Sequence, residues 1–398
     1  MMDQARTDRL VDLCRRFIRA RSLSGQEKQM AALVTEAMKQ GGYDEVQTDR
    51  LGNVVGKMTF GKGGPRILFE GHMDHVDVGD PSKWTRDPYG AEISDGKIWG
   101  RATSDMKGAL AAMILAPVFL REDGARFDGE VYVAGSVHEE CFEGVASELV
   151  AQASRPDYVV IGEASSLNVK RGQRGRAEIV METYGKPAHS SNPKVGLNAV
   201  KKMMPLLMAV EREFNPHTDP VLGEGILEVT DIISTPWPGA SVVPEKCRVT
   251  FDRRLLVGET HDKVLDQINR IIEGQEKFDP ELKASAFFAT GEEKCYTGEP
   301  IKAERFAPGW LFSENEPFVQ SAVRALRGAG MEPELSHYYF CTNGSYYAGK
   351  AGIPTIGFGP SLEELAHVVD EYIEIEQLAA ACAGYAAIAA GMPPGKGA

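Results

Sequence analysis

In the stretch 67–79, ILFEGHMDHVDVG, an apolar run ends at Gly71 and opens into His72, Asp74, His75 and Asp77. Imidazole and carboxylate offer the N and O ligands that divalent zinc, cobalt or manganese accept, so a strand ending in His-x-Asp is a metal-site candidate. Three further apolar segments end in acids, at Asp105, at Glu139 and Glu140, and at Glu163. Near the end of the chain, IPTIGFGP is followed by Glu363, Glu364 and His367. One carboxylate can bridge two ions lying roughly 3.5–4 Å apart, which is the arrangement of two-metal hydrolytic sites.

The adjacent pair Glu139 and Glu140 sets a geometric condition. Neighbouring side chains of a strand point to opposite faces, so both reach one pocket only if the chain leaves the strand at His138. Their roles then differ: one glutamate binds metal while its neighbour accepts a proton from the attacking water.

These residues need a frame. Helical spacing of apolar residues predicts helices over 7–20 and from 26 to a stop at Gly41-Gly42, followed by strands at 54–55 and 66–71. A strand over 97–104 leads to Asp105, an apolar helix covers 107–121 with a bend at Pro117, and strands follow from 130 and over 157–162, with a short helix near 143–153. Strands alternating with helices predict a mainly parallel sheet covered on both faces, which gathers ligands at the carboxyl ends of its strands.

From residue 174 the pattern changes to strand, helix, strand, strand, helix, strand, ending near 289. That β-α-β-β-α-β order is ferredoxin-like. The expected organisation is an α/β catalytic domain over 1–173 and 291–398, with an inserted α+β domain over 174–290. In the returning part, a helix near 315–329, strands near 335–341 and 353–358, and a last helix from 374 are expected.

A net charge of −13 excludes a nucleic-acid partner, since phosphate binding needs a basic face. Cysteines 14, 141, 247, 295, 341 and 382 show no C-x-x-C spacing, which reads as reduced thiols in a cytoplasm. The charged N-terminus and the shortness of the longest uncharged apolar run, 109–120, predict neither export nor membrane anchoring. There is no P-loop and no G-x-S-x-G elbow.

GHMDHVDVGDPSKW, GRATSDMKG, HEE, IGEAS and AHVVDEY, in this order and at these separations, resemble the acetylornithine deacetylase / succinyl-diaminopimelate desuccinylase family of dinuclear metallopeptidases and deacylases. That family also includes aminoacylases, carboxypeptidases and dipeptidases, and its deacetylase branch includes a selenium-metabolism-linked subgroup. The resemblance covers nearly the whole chain. It implies a zinc-peptidase-type α/β domain carrying a ferredoxin-like lid that often dimerises, and two divalent ions, zinc first, with cobalt or manganese as alternatives.

Residue by residue, the resemblance implies that Asp105 bridges two metals, with His72 and Glu163 completing one site and Glu140 and His367 the other. Glu139 becomes the general base and Asp74 the acid that orients His72, and a cis peptide is implied at Asp105–Met106. In the inserted domain, GKPAHSSNP makes His189 an oxyanion donor, and FDRRLLVGE makes Arg254 the partner of a substrate carboxylate, which a guanidinium suits. Two departures stand out: Ser241 replaces the family's asparagine, which bears on substrate contacts, and Ala102 replaces a glycine, a change expected to be structurally mild. Asn343 and Gly344 sit in a loop flanked by Tyr338, Tyr339, Phe340, Tyr346 and Tyr347 and read as pocket residues, with the aromatic side chains favouring bulky acyl groups.

The expected activity is hydrolysis of an amide in small N-acyl amino acids with a free carboxylate, by a metal-activated water and a glutamate base, in a homodimer. A dipeptidase or carboxypeptidase is the alternative within the family, and a non-catalytic binding protein the alternative outside it. Five intact ligands and a base argue against the latter.

Overall fold

The computed structural model describes residues 2–395. It divides into two compact units, one of Met1–Gln173, Glu292–Lys302 and Trp310–Ala398, the other of Arg174–Gly291 and Ala303–Gly309.

The first unit is built on a nine-stranded sheet. At its centre lie four parallel neighbours in the order Glu130–Ser136, Arg66–His72, Tyr158–Ile161 and Thr355–Gly357. Their register pairs His72 with Ser136 and Glu70 with Ile161, so the carboxyl ends lie level. Arg66–His72 is buried from Ile67 onward, as expected for a strand covered on both faces. Antiparallel strands flank this centre, among them Val54–Thr59 on one side and Val169–Gln173 on the other.

Helix Gly108–Glu122 is buried from Gly108 to Phe119 and contains Pro117. The stretch Thr103–Glu122 is long and apolar enough by composition to cross a membrane, yet 89% of its apolar 18-residue window is buried inside the fold. It is therefore a core helix, apolar all round because protein surrounds it.

Two expectations need correction. Residues 97–104 do not form a strand of the main sheet: Lys97–Trp99 joins Glu92–Ser94 and Tyr372–Glu374 in a separate three-stranded sheet, and Thr103–Lys107 is a helical turn broken at Asp105 and Met106. The return to the first unit at 291 is also interrupted, because Phe306 pairs with Ala177 and packs against the second unit's core, drawing Ala303–Gly309 into that unit.

In the second unit, Gly175–Tyr184, helix Ala199–Glu213, Ile226–Thr235, Lys246–Leu255, helix His261–Phe278 and Ala284–Phe288 follow in the β-α-β-β-α-β order. The strands are antiparallel, with Ile226–Thr235 at one edge. Met203, Leu206 and Val210 of one helix and Val264, Ile268 and Ile272 of the other cover the inner face formed by Ile179, Met181, Val249 and Phe251. These positions repeat at helical and strand periods, which made this unit legible.

Candidate metal centre

Four of the acid- and histidine-bearing segments leave the four central parallel strands at the same edge. His72 ends its strand, Glu139 and Glu140 follow Ser136, Glu163 follows Ile161, and His367 lies beyond Gly357. Asp105 arrives from the small sheet instead. Its Oδ1 lies 2.9 Å from Nε2 of His72, and its Oδ2 lies 3.0 Å from Nε2 of His367. His72 Nε2 is also 3.5 Å from Glu163 Oε1, and His367 Nε2 is 3.0 Å from Glu140 Oε2.

The structure thus brings His72, Asp105, Glu139, Glu140, Glu163 and His367 together. His72, Asp105 and Glu140 offer ligand atoms within 4.8 Å of one another, and so do His72, Glu139 and Glu163. The strand ends at Ser136, and His138, two residues on, adopts a left-handed φ of 56° that lets the two glutamates turn into one pocket. The Asp105–Met106 peptide is cis.

Asp74 is fully buried and does more than face the His72 ring. His72 Nδ1 lies 2.9 Å from the Asp74 carbonyl and 3.6 Å from its Oδ1. The Glu139 N–H donates to Asp74 Oδ1 at 3.1 Å, and the Glu140 N–H to Oδ2 at 3.2 Å. Glu371, which sequence reasoning left without a role, grips the Asp105 loop: its oxygens accept the N–H groups of Ala102, Ser104 and Asp105 and pair with Arg101 at 2.8 Å. Ala102 there takes a φ of 69°, where the glycine it replaces would sit without strain. The available signal was the adjacent acids Asp370 and Glu371 between apolar positions in VVDEYI.

The cluster carries more negative charge than its own side chains balance. Burial, reinforced by neighbouring acids, pushes the Glu139 and Glu163 carboxyls well above the usual range, and burial with Asp105 raises Glu140. Despite its burial, Asp105 is held low by accepting hydrogen bonds from His367 and His72, and donating to Asp105 and Glu140 raises His367 to about 10. Glu140 Oε1 is buried without a hydrogen-bond partner. Buried carboxylates in this number are stable when a cation neutralises them, and the N and O donor set suits a divalent transition ion. The residues present fit a site for divalent metal, and Asp105 is the carboxylate that would be shared if two ions were held.

His75, Asp77, Glu363 and Glu364 do not join the cluster. His75 accepts the Ser22 N–H, Asp77 faces Arg21 and Glu363 pairs with Lys170, while Glu364 is exposed. Asn343 is corrected from pocket residue to buried brace: its Nδ2 donates to Glu70 at 2.8 Å and Ser136 at 3.0 Å, and its Oδ1 accepts the Gly144 N–H. Gly344 is similarly structural, because a Cβ there would sit 2.9 Å from Trp310 Nε1. Tyr338 and Tyr347 are fully buried core residues rather than pocket walls, and the Tyr338 hydroxyl donates to the Glu163 carbonyl at 3.0 Å.

In the second unit, His189 is exposed, with Ser191 Oγ 2.7 Å from its Nδ1. Ser241, exposed and at φ 63°, accepts the Ser190 N–H and so lies in the same loop cluster. Arg254 is paired with Asp252 at 2.8 Å, and Arg176 holds the other oxygen of that aspartate.

Residues 68–391 match the profile of peptidase family M20/M25/M40. The chain belongs to this family. It is a hydrolase of the M20 type, as the motif order implied. Over 375 residues, 92% of this chain and 90% of the other, it is 35% identical to the uncharacterized protein YgeY of Escherichia coli (strain K12). It is 26% identical over 382 residues, 92% and 91% of the two chains, to succinyl-diaminopimelate desuccinylase 2 of Ruegeria sp. (strain TM1040). The fold of aminopeptidase PepT from Bacillus cereus superposes with a TM-score of 0.74 at 20% identity, covering 96% of this M20 chain and 97% of that one.

Proposed function

We propose that this M20 hydrolase removes a small acyl group from an N-acyl amino acid, and that it does so with two divalent ions, zinc first. The observation that carries the reading is the Asp105 carboxylate with one oxygen facing His72 and the other His367. Similarity to a protein named as a desuccinylase supports the acyl substrate.

His72, Glu163 and Asp105 would hold one ion, and Asp105, Glu140 and His367 the other. When bound, the ions supply the positive charge that acidifies water and polarises an amide carbonyl. Glu139, on the same turn as Glu140 and almost fully buried, takes the proton from the attacking water and hands it to the leaving nitrogen. Asp74 fixes the turn that carries it. His189 as oxyanion donor and Arg254 as partner of a substrate carboxylate are proposed on their sequence segments, with Ser241 beside His189 as a further substrate contact.

Two companion proposals follow. The edge strand Ile226–Thr235 exposes Ile232 and Ile233, which supports pairing with a second copy into a homodimer. All six cysteines are free, which supports a cytoplasmic site of action. The deciding experiment is a panel of N-acetyl, N-succinyl and N-carbamoyl amino acids and dipeptides, assayed with zinc, cobalt and manganese. Preferential turnover of an N-acyl amino acid supports the proposal; turnover of dipeptides alone replaces it with a dipeptidase.

A further inference from the structure

Four consecutive backbone N–H groups lead into the catalytic turn, and each is taken by a side chain. Val137 donates to Asn53 Oδ1 at 2.9 Å, His138 to Glu27 Oε1 at 3.2 Å, Glu139 to Asp74 Oδ1 at 3.1 Å and Glu140 to Asp74 Oδ2 at 3.2 Å. An irregular turn has no ladder to satisfy these donors, so the side chains that accept them also fix its shape.

Two of the contacts trace to residues 22–27, far away in sequence. Glu27 is fully buried and also accepts the Gly25 N–H at 3.0 Å. Gly25 has a φ of 79°, and a Cβ there would meet the Lys294 carbonyl oxygen at 2.8 Å, so the bend that presents Glu27 calls for glycine. Ser24 Oγ donates to Asp74 Oδ2 at 2.7 Å, on the same oxygen that receives Glu140. Ser22 is bonded three ways to the 73–75 segment: its N–H donates to the His75 ring at Nε2, its carbonyl accepts the His75 N–H, and its Oγ donates to the Met73 carbonyl. The segment is thus fastened both to the turn that follows His72 and to the turn that carries Glu139 and Glu140.

We infer that residues 22–27 form a strap whose Ser24 and Glu27 are positioning residues, setting the placement of Glu139 and Glu140 relative to His72 without touching the reacting atoms. The inference rests on the proposed roles of Glu139 as base and Glu140 as ligand. Outer partners of metal ligands commonly govern affinity and turnover by holding the ligands in place.

The test is zinc titration of the metal-free full-length protein, followed by kinetics on the best substrate of the panel, for E27A, E27Q and S24A. E27A should bind one of its two zinc equivalents about 10–100-fold more weakly and lose kcat by a similar factor, with KM within about twofold. E27Q keeps an acceptor for the His138 N–H and should restore both to within about threefold of wild type. If E27A does not fold, S24A carries the test, with an expected weakening of about 3–10-fold in the same zinc equivalent. A folded E27A, or failing that S24A, with wild-type zinc affinity overturns the strap. E27Q as impaired as E27A overturns it as well. Failure of the functional reading would show differently, as wild-type protein that binds zinc yet turns over no amide in the panel.

Discussion

Asp105 and His72 meet at 2.9 Å although they come from different sheets, one from the small three-stranded sheet and the other from the central parallel strands. The Asp105 carboxylate is therefore the element that joins the two halves of the site. Replacing it with asparagine keeps the shape but removes the negative charge shared by two ligand sets. D105N should lose more than the roughly 10–100-fold in turnover typical of outer partners. Calorimetric titration should show fewer than two zinc equivalents.

Glu139 is expected to act on protons and not to be needed for holding metal. Glu139→Gln should lower kcat by about 10²–10⁴-fold, the usual range for a general base. Elemental analysis of the variant should match wild type. Near-normal turnover with both metals bound would remove Glu139 from the base role.

Asn343 braces the buried Glu70 and Ser136 and caps the Gly144 N–H. Asn343→Ala removes these contacts and strands the buried Gly144 N–H, while Glu70 and Ser136 keep each other, and should cost about 1–3 kcal/mol of stability in urea unfolding. KM should stay near wild type. An unchanged unfolding midpoint with a raised KM would return this residue to the substrate pocket.

His75 is buried, accepts the Ser22 N–H, and is pushed down to about 3 by burial and the nearby Lys107 charge. The unfolded chain binds this proton below about 6.5, whereas the folded one does so only near 3. Stability should therefore fall as pH drops through this window, with His75 contributing on the order of 5 kcal/mol at the acid limit. His75→Gln should flatten the acid limb of a stability-against-pH curve. An unchanged slope would show that other groups carry it.

Much of this cluster was legible because His72, Glu139, Glu140 and Glu163 stand at or just past the end of an apolar run, and hydrophobic period alone locates such stops. The four central strands and the β-α-β-β-α-β unit follow from the same periodicity. Asp105 was read as the end of a sheet strand because IWGRATSD is apolar enough to resemble one, yet its glycine and left-handed Ala102 turn the chain into a separate bend. Asn343 was misread because polar residues between aromatics look the same in sequence whether they line a pocket or brace a core. Glu27, Ser24 and Glu371 were missed for a physical reason: Glu27 and Glu371 accept backbone N–H groups distant in the chain, Ser24 donates to Asp74 from equally far away, and partners so distant leave no local residue-type signature.

The most direct test of the two-ion centre is metal stoichiometry. Metal-free protein titrated with zinc, with bound metal counted by elemental analysis, should take up two equivalents per chain, and H367A should take up one. Wild-type protein that binds no zinc, or saturates at a single equivalent, would contradict the account.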